Sequence, residues 1–422
     1  MRRKIAAVFL AAALLSVLPG CHKIDGGTSE VPSELSSSSS QESVPEDILS
    51  PEEELLNTMT LSEKVGQMFF LAYRSNDDGS NMLVLSEAAK EQLRTIQPGG
   101  LCLFSENVGS VEQLRAYISD ARGSVSLPLF VSVDQEGGSV QRISYSEAIP
   151  ATNLPPMWKV GSAGDPVLAR QVGGVLGSEL TVFGFNMDFA PVCDVFSNPN
   201  NTVIGQRSFS SDPAVVAEMS LELAKGLSDA GIIPAAKHFP GHGDTEADTH
   251  IGYAVSNKTR EELEQTELVP FRAQVNAGVP LVMVSHISLP AINGDNTPAT
   301  LSEQVVTGML RNDLGYENII ITDAMNMGAI VENYGANDAC VRAIQAGTDM
   351  LLMPQDPLGA YEAVLAAVQS GELTEKRINE SVLRILRVKY QYRLFDPQPL
   401  ADPALLGCAE HQAVADAVQA KQ

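Results

Sequence analysis

A short segment, KHFPGHGDTEADTH at residues 237–250, concentrates side chains that can do chemistry, because it holds three of the chain's six histidines. His238 and His242 stand four residues apart, as zinc ligands on a helix do, but the proline and glycine between them break a helix. Lys237 would also repel a bound cation. The segment therefore predicts no metal and no cofactor, with a metal-dependent hydrolase as an alternative.

The other end of this segment favours proton transfer. Asp248 and His250 are two residues apart, and in a tight loop the carboxylate can hydrogen-bond the imidazole, fix its tautomer and stabilise the imidazolium. Glycines on both sides of His242 indicate a loop that can move, as active-site lids do. The spacing predicts an acid/base pair, and a polar loop without special chemistry is the alternative.

The elements that must position these residues alternate regularly from residue 51 onward. Short apolar runs, typical of strands buried on both faces, alternate with longer segments of helical period. The eight runs are VGQMFFLAY, GGLCLF, PLFVSVD, FNMDFAPV, IIPAAKH, PLVMVSHI, NIIITDA and DMLLMP, and the clearest helices are VEQLRAYISDAR, PAVVAEMSLELAKGLSDAG and TREELEQTELVPFRAQVNAG. Eight such repeats predict a TIM-type (β/α)8 barrel. An open doubly wound α/β sheet is the alternative, but no GxGxxG follows a strand to support nucleotide binding.

A barrel of this kind builds its active site at the carboxyl ends of its strands. In this sequence those positions carry acids, a lysine and histidines, namely Asp134, Asp188, Asp194, Lys237, His238, His286 and Asp323. Any one of them alone would be an ordinary loop or capping residue. Their joint occurrence at several strand ends predicts one polar site.

The segment 237–250 also resembles the signature of glycoside hydrolase family 3, in its β-N-acetylglucosaminidase branch. Three further segments strengthen the resemblance by their order and spacing: VSVDQEGGSVQR (131–142), IGQRSF (204–209) and ITDAMNM (321–327). Ser139 departs from the family's pattern, which often has arginine at that place in DQEGGRVQR. The resemblance covers roughly residues 52–395, which is most of the chain.

The resemblance implies a role for each matching residue. Asp323 aligns with the catalytic nucleophile, and His250 aligns with the general acid/base, oriented by Asp248. The residues that align with those gripping the N-acetylglucosamine unit in the first subsite are Asp134, Arg142, Arg207, Lys237 and His238. The implied activity is that of a retaining exo-β-N-acetylglucosaminidase, or β-N-acetylhexosaminidase, which acts on cell-wall muropeptides or chitin-type oligosaccharides.

The residue types agree with such a mechanism. A retaining glycosidase needs a carboxylate nucleophile and a proton donor; Asp323 follows the apolar run NIIIT, which holds it rigidly, and His250 lies on a loop that can close over substrate. A histidine does not repel an anionic acceptor as a glutamate does, so a GlcNAc phosphorylase is an alternative function. A non-catalytic sugar-binding lipoprotein is another, but it needs neither Asp323 nor the acid/base pair.

The first 50 residues predict export. MRRK is followed by the apolar run IAAVFLAAALLSVL, too short for a comfortable membrane span, and by LPGC, which ends at Cys21. Residues 1–21 resemble a bacterial lipoprotein signal with Cys21 as the lipidated residue, and ordinary secretion is the alternative because Pro19 is untypical there. Residues 22–50, rich in Ser and Glu, predict a flexible tether. The predicted location is the outer face of the bacterial cell membrane, contacted only through the lipid.

Composition narrows the remaining possibilities. A net charge of −24 excludes a nucleic-acid-binding protein, which needs a basic face. Four cysteines without CxxC spacing are predicted to be free thiols: Cys102, Cys193, Cys340 and Cys408. The barrel is predicted to span residues 51–396. Residues 397–422 resemble the linker and helix that lead into a second α/β domain in many relatives.

Overall fold

The computed structural model describes residues 49–144, 146, 148–245, 254–397 and 399–421. Eight strands form one parallel sheet: β1 (Phe69–Leu71), β2 (Gly100–Cys102), β3 (Phe130–Val133), β4 (Met187–Asp188), β5 (Ile233–Phe239), β6 (Leu281–Val284), β7 (Ile319–Thr322) and β8 (Leu351–Leu352). Their order in the sheet is β7-β6-β5-β4-β3-β2-β1-β8. A parallel bridge between Ile321 of β7 and Met350, next to β8, joins the two edges. Each strand falls on one of the eight apolar runs, and the predicted (β/α)8 barrel is confirmed.

Helices occupy the connections between the strands. The α-helices are α1 (Pro51–Thr58), α2 (Leu61–Gln67), α3 (Glu87–Ile96), α4 (Val111–Arg122), α5 (Met157–Ser162), α6 (Pro166–Phe183), α7 (Pro213–Asp229), α8 (Arg260–Gln265), α9 (Leu268–Asn276), α10 (Pro290–Asn293), α11 (Gly328–Tyr334), α12 (Ala336–Ala346), α13 (Pro357–Ser370), α14 (Glu375–Gln391) and α15 (Ala409–Ala420). Turns of 3-10 helix lie at Ser105–Asn107, Gly205–Arg207, Ala299–Leu301 and Pro403–Leu405, and a π-helix spans Gln304–Asp313. Within the described part of the chain, these helices are all too short or too polar to cross a membrane.

Two of the three clearest predicted helices form as the sequence indicates, and the third is divided. Ser110 caps α4 by accepting a hydrogen bond from the Gln113 amide, and an aspartate followed by proline opens α7. The segment predicted as a single helix over residues 259–278 is instead the pair α8 and α9. The chain leaves helical geometry at Thr266, and Glu267 then turns into the interior, where Lys258 donates a hydrogen bond to it.

The buried strands give rigid support to the residues at their carboxyl ends. Every residue of the eight strands is buried, so both faces of the sheet are covered. Inside the barrel, the rings of Phe70 and Phe189 pack with their centroids 5.4 Å apart. Side chains at the carboxyl ends of such strands are held in fixed positions, as an active site requires.

The four cysteines among the described residues are free thiols, as predicted. Cys102, Cys193 and Cys340 are buried, whereas Cys408 is partly exposed. Burial raises the pKa of both Cys193 and Cys340 to about 12, so neither thiol ionises at neutral pH. These buried cysteines act as small apolar residues.

The C-terminal residues pack on the outside of the barrel. Helix α15 lies against α6, with Ala415 and Val418 buried in the contact. His411 of α15 reaches Glu179 of α6, with Nδ1 3.1 Å from Oε1. The division between barrel and C-terminal segment at residue 396 stays a prediction.

Candidate active site

A cavity of about 440 Å³ opens at the carboxyl ends of the strands. Six residues that the sequence indicated for the site line it, namely Asp134, Arg142, Arg207, Lys237, His238 and Asp323. They come from the ends of β3, β5 and β7 and from the connections after β3 and β4. Asp248 and His250 lie outside the described residues, as does Cys21.

Lys237 is the centre of a charged network in this cavity. Its Nζ lies 2.7 Å from Asp134 Oδ1 and 2.6 Å from Glu136 Oε1, and its side chain is 2% exposed. Burial lowers the pKa of Lys237, but the two carboxylates outweigh burial and hold the pKa above its ordinary value. Lys237 is therefore a cation whose position is fixed from two sides.

A local irregularity of β5 brings two consecutive side chains to the same cavity. In a regular strand Lys237 and His238 would point to opposite faces. The pairing of β5 with β6 shifts its register between Ala236 and Phe239, which frees the intervening residues from strict alternation. Both side chains consequently line the cavity.

Glu136 is a site residue that the sequence reasoning missed. Both of its oxygens accept hydrogen bonds of 2.8 Å from Arg207, through Nε and Nη2. Burial raises the pKa of Glu136, but Arg207 and Lys237 lower it far more, so that the carboxylate is ionised. Its position two residues after Asp134 was the available signal, because alternate residues of an extended chain face the same side.

The turn after β3 carries Arg142 and is braced by Gln135. The Gln135 side-chain carbonyl accepts hydrogen bonds from the backbone amides of Arg142 and Ile143, at 2.7 and 3.2 Å. Arg142 Nη2 lies 3.8 Å from Asp134 Oδ2, and its Nε is buried without an acceptor among the described residues. Because Arg142 lines the cavity, its guanidinium is placed to donate to a bound polar ligand.

His238 is held by a buried carboxylate. Its Nδ1 lies 2.6 Å from Asp194 Oδ2, which fixes the ring and directs the opposite edge toward the cavity. Burial raises the pKa of Asp194, whereas His238 lowers it, and the net shift is downward. Asp194 Oδ1 also accepts the backbone amide of His242 at 2.6 Å, so one carboxylate organises both histidines.

The segment around His242 is packed more tightly than its glycines suggest. A Cβ at Gly243 would lie 1.7 Å from the Val195 carbonyl oxygen, and one at Gly241 would lie 2.5 Å from the Glu267 side chain. His242 itself is buried, its Nδ1 is 2.8 Å from Thr245 Oγ1, and burial lowers its pKa. Close packing thus accounts for both glycines without any loop movement. The predicted movement of the loop, which continues into residues outside the described ones, stays a prediction.

Asp323 follows β7 directly and faces the cavity. Its backbone amide donates to the Val284 carbonyl at 2.8 Å, and its Oδ1 accepts the Ala324 amide at 2.7 Å. Burial raises the pKa of Asp323, but His286, His238 and the Ala324 amide together bring it below its ordinary value. The side chain is therefore an anion with a defined orientation.

Three other strand-end residues lie behind the cavity wall. Asp188, Asp194 and His286 are fully buried and do not line the cavity. Burial raises the pKa of Asp188 well above its ordinary value, and its Oδ1 accepts the Gln135 amide at 3.0 Å. These residues support the cavity wall through hydrogen bonds: Asp188 to Gln135, Asp194 to His238 and His286 to Ala324.

The described residues hold no group of three histidine, cysteine, aspartate or glutamate side chains that could bind a metal ion. What they do present is an ionised carboxylate at one strand end and a set of fixed cations and anions around it. Such a set can bind the hydroxyl groups of a sugar and attack its anomeric carbon.

The proteins that this chain resembles are glycoside hydrolases. The glycosyl hydrolase family 3 N-terminal domain matches residues 60–388. Beta-hexosaminidase A of Pseudoalteromonas piscicida is 34% identical over 365 residues, 78% of this chain and 61% of that protein, so the chain spans less than two thirds of this relative. A beta-hexosaminidase of Nitrosomonas eutropha is 36% identical over 311 residues, 71% of this chain and 87% of that protein.

The solved structures lead to the same family. A glycoside hydrolase family 3 beta-N-acetylglucosaminidase from Paenibacillus sp. str. FPU-7 is 34% identical, with a TM-score of 0.81. The similarity covers 86% of this chain and 69% of that one. Since the family domain matches well over half of the sequence and the fold agrees, this chain belongs to glycosyl hydrolase family 3.

Proposed function

We propose that this chain is a retaining exo-β-N-acetylglucosaminidase, which removes terminal N-acetylglucosamine from an oligosaccharide. The observation that carries the proposal is the convergence of Asp323 and five candidate sugar-binding residues on one cavity at the strand ends. The names of the two beta-hexosaminidases and of the Paenibacillus beta-N-acetylglucosaminidase support it.

The sugar is bound by groups of fixed charge. Asp134 accepts hydrogen bonds from sugar hydroxyls, and Lys237, Arg142 and Arg207 donate to the hydroxyl and amide oxygens. Because these groups hold one another by ion pairs, little of their conformational freedom is lost when the sugar binds. Binding energy from this end of the substrate then assists the reaction at the anomeric carbon.

The reaction proceeds by double displacement. Asp323 attacks the anomeric carbon, and the bond to the leaving oxygen breaks while His250, oriented by Asp248, donates a proton to that oxygen. In the second step His250 takes a proton from water, the water oxygen attacks the anomeric carbon, and Asp323 departs as a carboxylate. The lowered pKa of Asp323 suits both steps, because the residue must be ionised before attack and after release.

An assay with a chromogenic N-acetylglucosaminide tests the proposal. We expect the parent protein to release the chromophore and to keep its activity with a chelator present. Asp323→Ala is expected to lower kcat by more than about 1,000-fold, whereas Asp313→Ala, which removes a half-exposed carboxylate far from the cavity, leaves kcat unchanged. A parent without activity, or an Asp323→Ala protein with parent activity, contradicts the proposal.

The site and the predicted export together support a proposal for the substrate class. We propose muropeptide fragments of the cell wall as substrates, and chitin-type oligosaccharides share the same first sugar. A comparison of kcat/KM for GlcNAc-anhydroMurNAc, GlcNAc-MurNAc and chitobiose distinguishes them. A higher kcat/KM for chitobiose than for either muropeptide sugar would refute the cell-wall assignment.

We propose that the barrel is held at the outer face of the membrane by a lipid on Cys21. The proposal rests on the signal-like residues 1–21 and on the Ser- and Glu-rich residues 22–50. The parent is expected to enter the detergent phase on phase separation, and Cys21→Ser to enter the aqueous phase. Equal partition of the two proteins into the aqueous phase would indicate ordinary secretion.

A further inference from the structure

The turn after β7 is fastened to both neighbouring strands. The Asp323 amide donates to Val284 at the end of β6, and the Met325 amide donates to Leu352 at the end of β8. Within the turn, the Met327 amide donates to the Ala324 carbonyl at 3.1 Å. The backbone is thus anchored on both sides of Ala324. The conformation of Ala324 itself sets the direction of its N–H group.

That amide orients the carboxylate of Asp323. The Ala324 N–H donates to Asp323 Oδ1 at 2.7 Å, so a rotation of this part of the turn would rotate the carboxylate. The Ala324 carbonyl, in turn, accepts a hydrogen bond from His286 Nε2 at 3.0 Å. A side chain from the end of β6 therefore holds the same residue that holds the carboxylate.

His286 is itself rigid. It is fully buried, and its Nδ1 lies 2.5 Å from Thr300 Oγ1, which is 3.2 Å from the Ser285 carbonyl. A carbonyl oxygen only accepts hydrogen bonds, so Nε2 carries a hydrogen and the direction of its bond to Ala324 is fixed. His286 is not among the residues that line the cavity, which separates it from the residues proposed to bind the sugar.

We infer that His286 is a positioning residue for the nucleophile, acting on Asp323 through the backbone of Ala324 and held by Thr300. The inference rests on the proposed function, since it assigns His286 to the attack by Asp323. Among the groups that lower the pKa of Asp323 against the effect of burial, His286 is the largest, which agrees with a position beside the carboxylate. A nucleophile displaced by about 1 Å can lose about 100-fold in rate.

Two variants of His286 separate positioning from binding. His286→Leu removes the donor to Ala324, and we expect kcat to fall about 100-fold while the Kd for N-acetylglucosamine, measured by calorimetry, stays within about threefold. His286→Gln keeps an amide that can donate to Ala324, and we expect kcat within about tenfold of the parent. A general loss of folding would change kcat and Kd together and would not be rescued by glutamine.

A matched pair of threonine variants tests the support behind His286. Thr300→Val removes the hydroxyl beside Nδ1, whereas Thr307→Val removes a hydroxyl that donates to Ala346 on the outer side of the barrel. We expect Thr300→Val to lower kcat about 3- to 10-fold and Thr307→Val to leave it unchanged. Equal effects of the two changes, or a His286→Leu protein with parent kcat, would overturn the inference.

Hydrogen exchange tests whether His286 holds the turn, and it does not depend on enzymatic activity. In a peptide that covers residues 323–327, His286→Leu is expected to speed amide exchange and Thr307→Val is not. A parent that cleaves no N-acetylglucosaminide overturns the proposed function, and the exchange rates still report whether His286 holds the turn. Unchanged exchange in His286→Leu overturns the positioning role even where activity is lost.

Discussion

Two of the buried lysines, Lys237 and Lys389, lie at opposite ends of the barrel, and their surroundings shift the pKa in opposite directions. Lys237, at the carboxyl end of β5, lies between Asp134 and Glu136, and its pKa is raised. Lys389, on α14 at the amino ends of the strands, has the side-chain oxygen of Gln67 2.6 Å away and the ring of Phe130 5.0 Å away. Burial lowers the pKa of Lys389 to about 7.

The two lysines differ in the partners that surround the ammonium group. Two carboxylates stabilise the charge of Lys237, and that charge remains available to a ligand in the cavity. At Lys389 the described residues supply a neutral acceptor and an aromatic face, so burial of the ammonium destabilises the folded chain. Under the proposed function, Lys237 serves sugar binding, whereas Lys389 affects only the stability of the folded chain.

The largest effect is expected from Lys237→Met. It removes the donor to the sugar and leaves Asp134 and Glu136 facing each other, so kcat/KM is expected to fall more than about 1,000-fold, and the free energy of unfolding by about 3 kcal/mol. Lys389→Met is the control, because it removes a buried ammonium at the other end and should keep parent kcat/KM. Similar losses of kcat/KM in both variants would contradict the assignment of sugar binding to Lys237 and not to Lys389.

Lys389→Met is expected to show its effect in the pH dependence of stability. The folded pKa of about 7 lies below the ordinary value of 10.5, so the unfolded chain binds more protons between these values, and parent stability rises with pH there. Methionine removes this dependence. Relative to the parent, the variant's free energy of unfolding should therefore improve by about 2–4 kcal/mol as the pH is lowered from 9.5 to 6.5.

Urea unfolding of both proteins at the two pH values measures this difference. The loss of the hydrogen bond to Gln67 affects the variant equally at both, so it does not alter the shift with pH. A difference between variant and parent that is independent of pH would show that Lys389 stays protonated in the folded chain.

Much of the fold followed from the sequence, and the site followed in part. Eight apolar runs gave eight strands, because burial on both faces leaves a continuous hydrophobic signal. The motifs identified Asp323 and Lys237. Glu136 was missed, because its spacing from Asp134 is a weak signal and its ion pair with Arg207 joins segments that are distant in the sequence. The helical spacing also predicted α8 and α9 as one helix. The neighbouring sequence does not indicate that Glu267 turns into the interior and accepts a hydrogen bond from Lys258.

A smaller effect is expected from Arg207→Lys, which tests whether geometry matters at the cavity beyond charge. Arg207 binds Glu136 through two parallel hydrogen bonds, which a lysine cannot reproduce, so KM is expected to rise about 10- to 100-fold. The control is Arg384→Lys at the amino end, where Arg384 is one of three arginines around Asp349. We expect that control to leave KM unchanged, and an equal rise of KM in both would contradict the comparison.

The smallest expected effect concerns a partly buried polar contact outside both lysine sites. His411→Leu removes the donor to Glu179, which still accepts hydrogen bonds from Thr152 and the Gly407 amide. Because those donors remain, the free energy of unfolding is expected to fall by only about 1 kcal/mol, with kcat/KM unchanged. Urea unfolding and the chromogenic assay measure the two quantities. A change in kcat/KM beyond about threefold would show that α15 acts on the cavity through Glu179 and Thr152, and that the outer surface of the barrel is not purely structural.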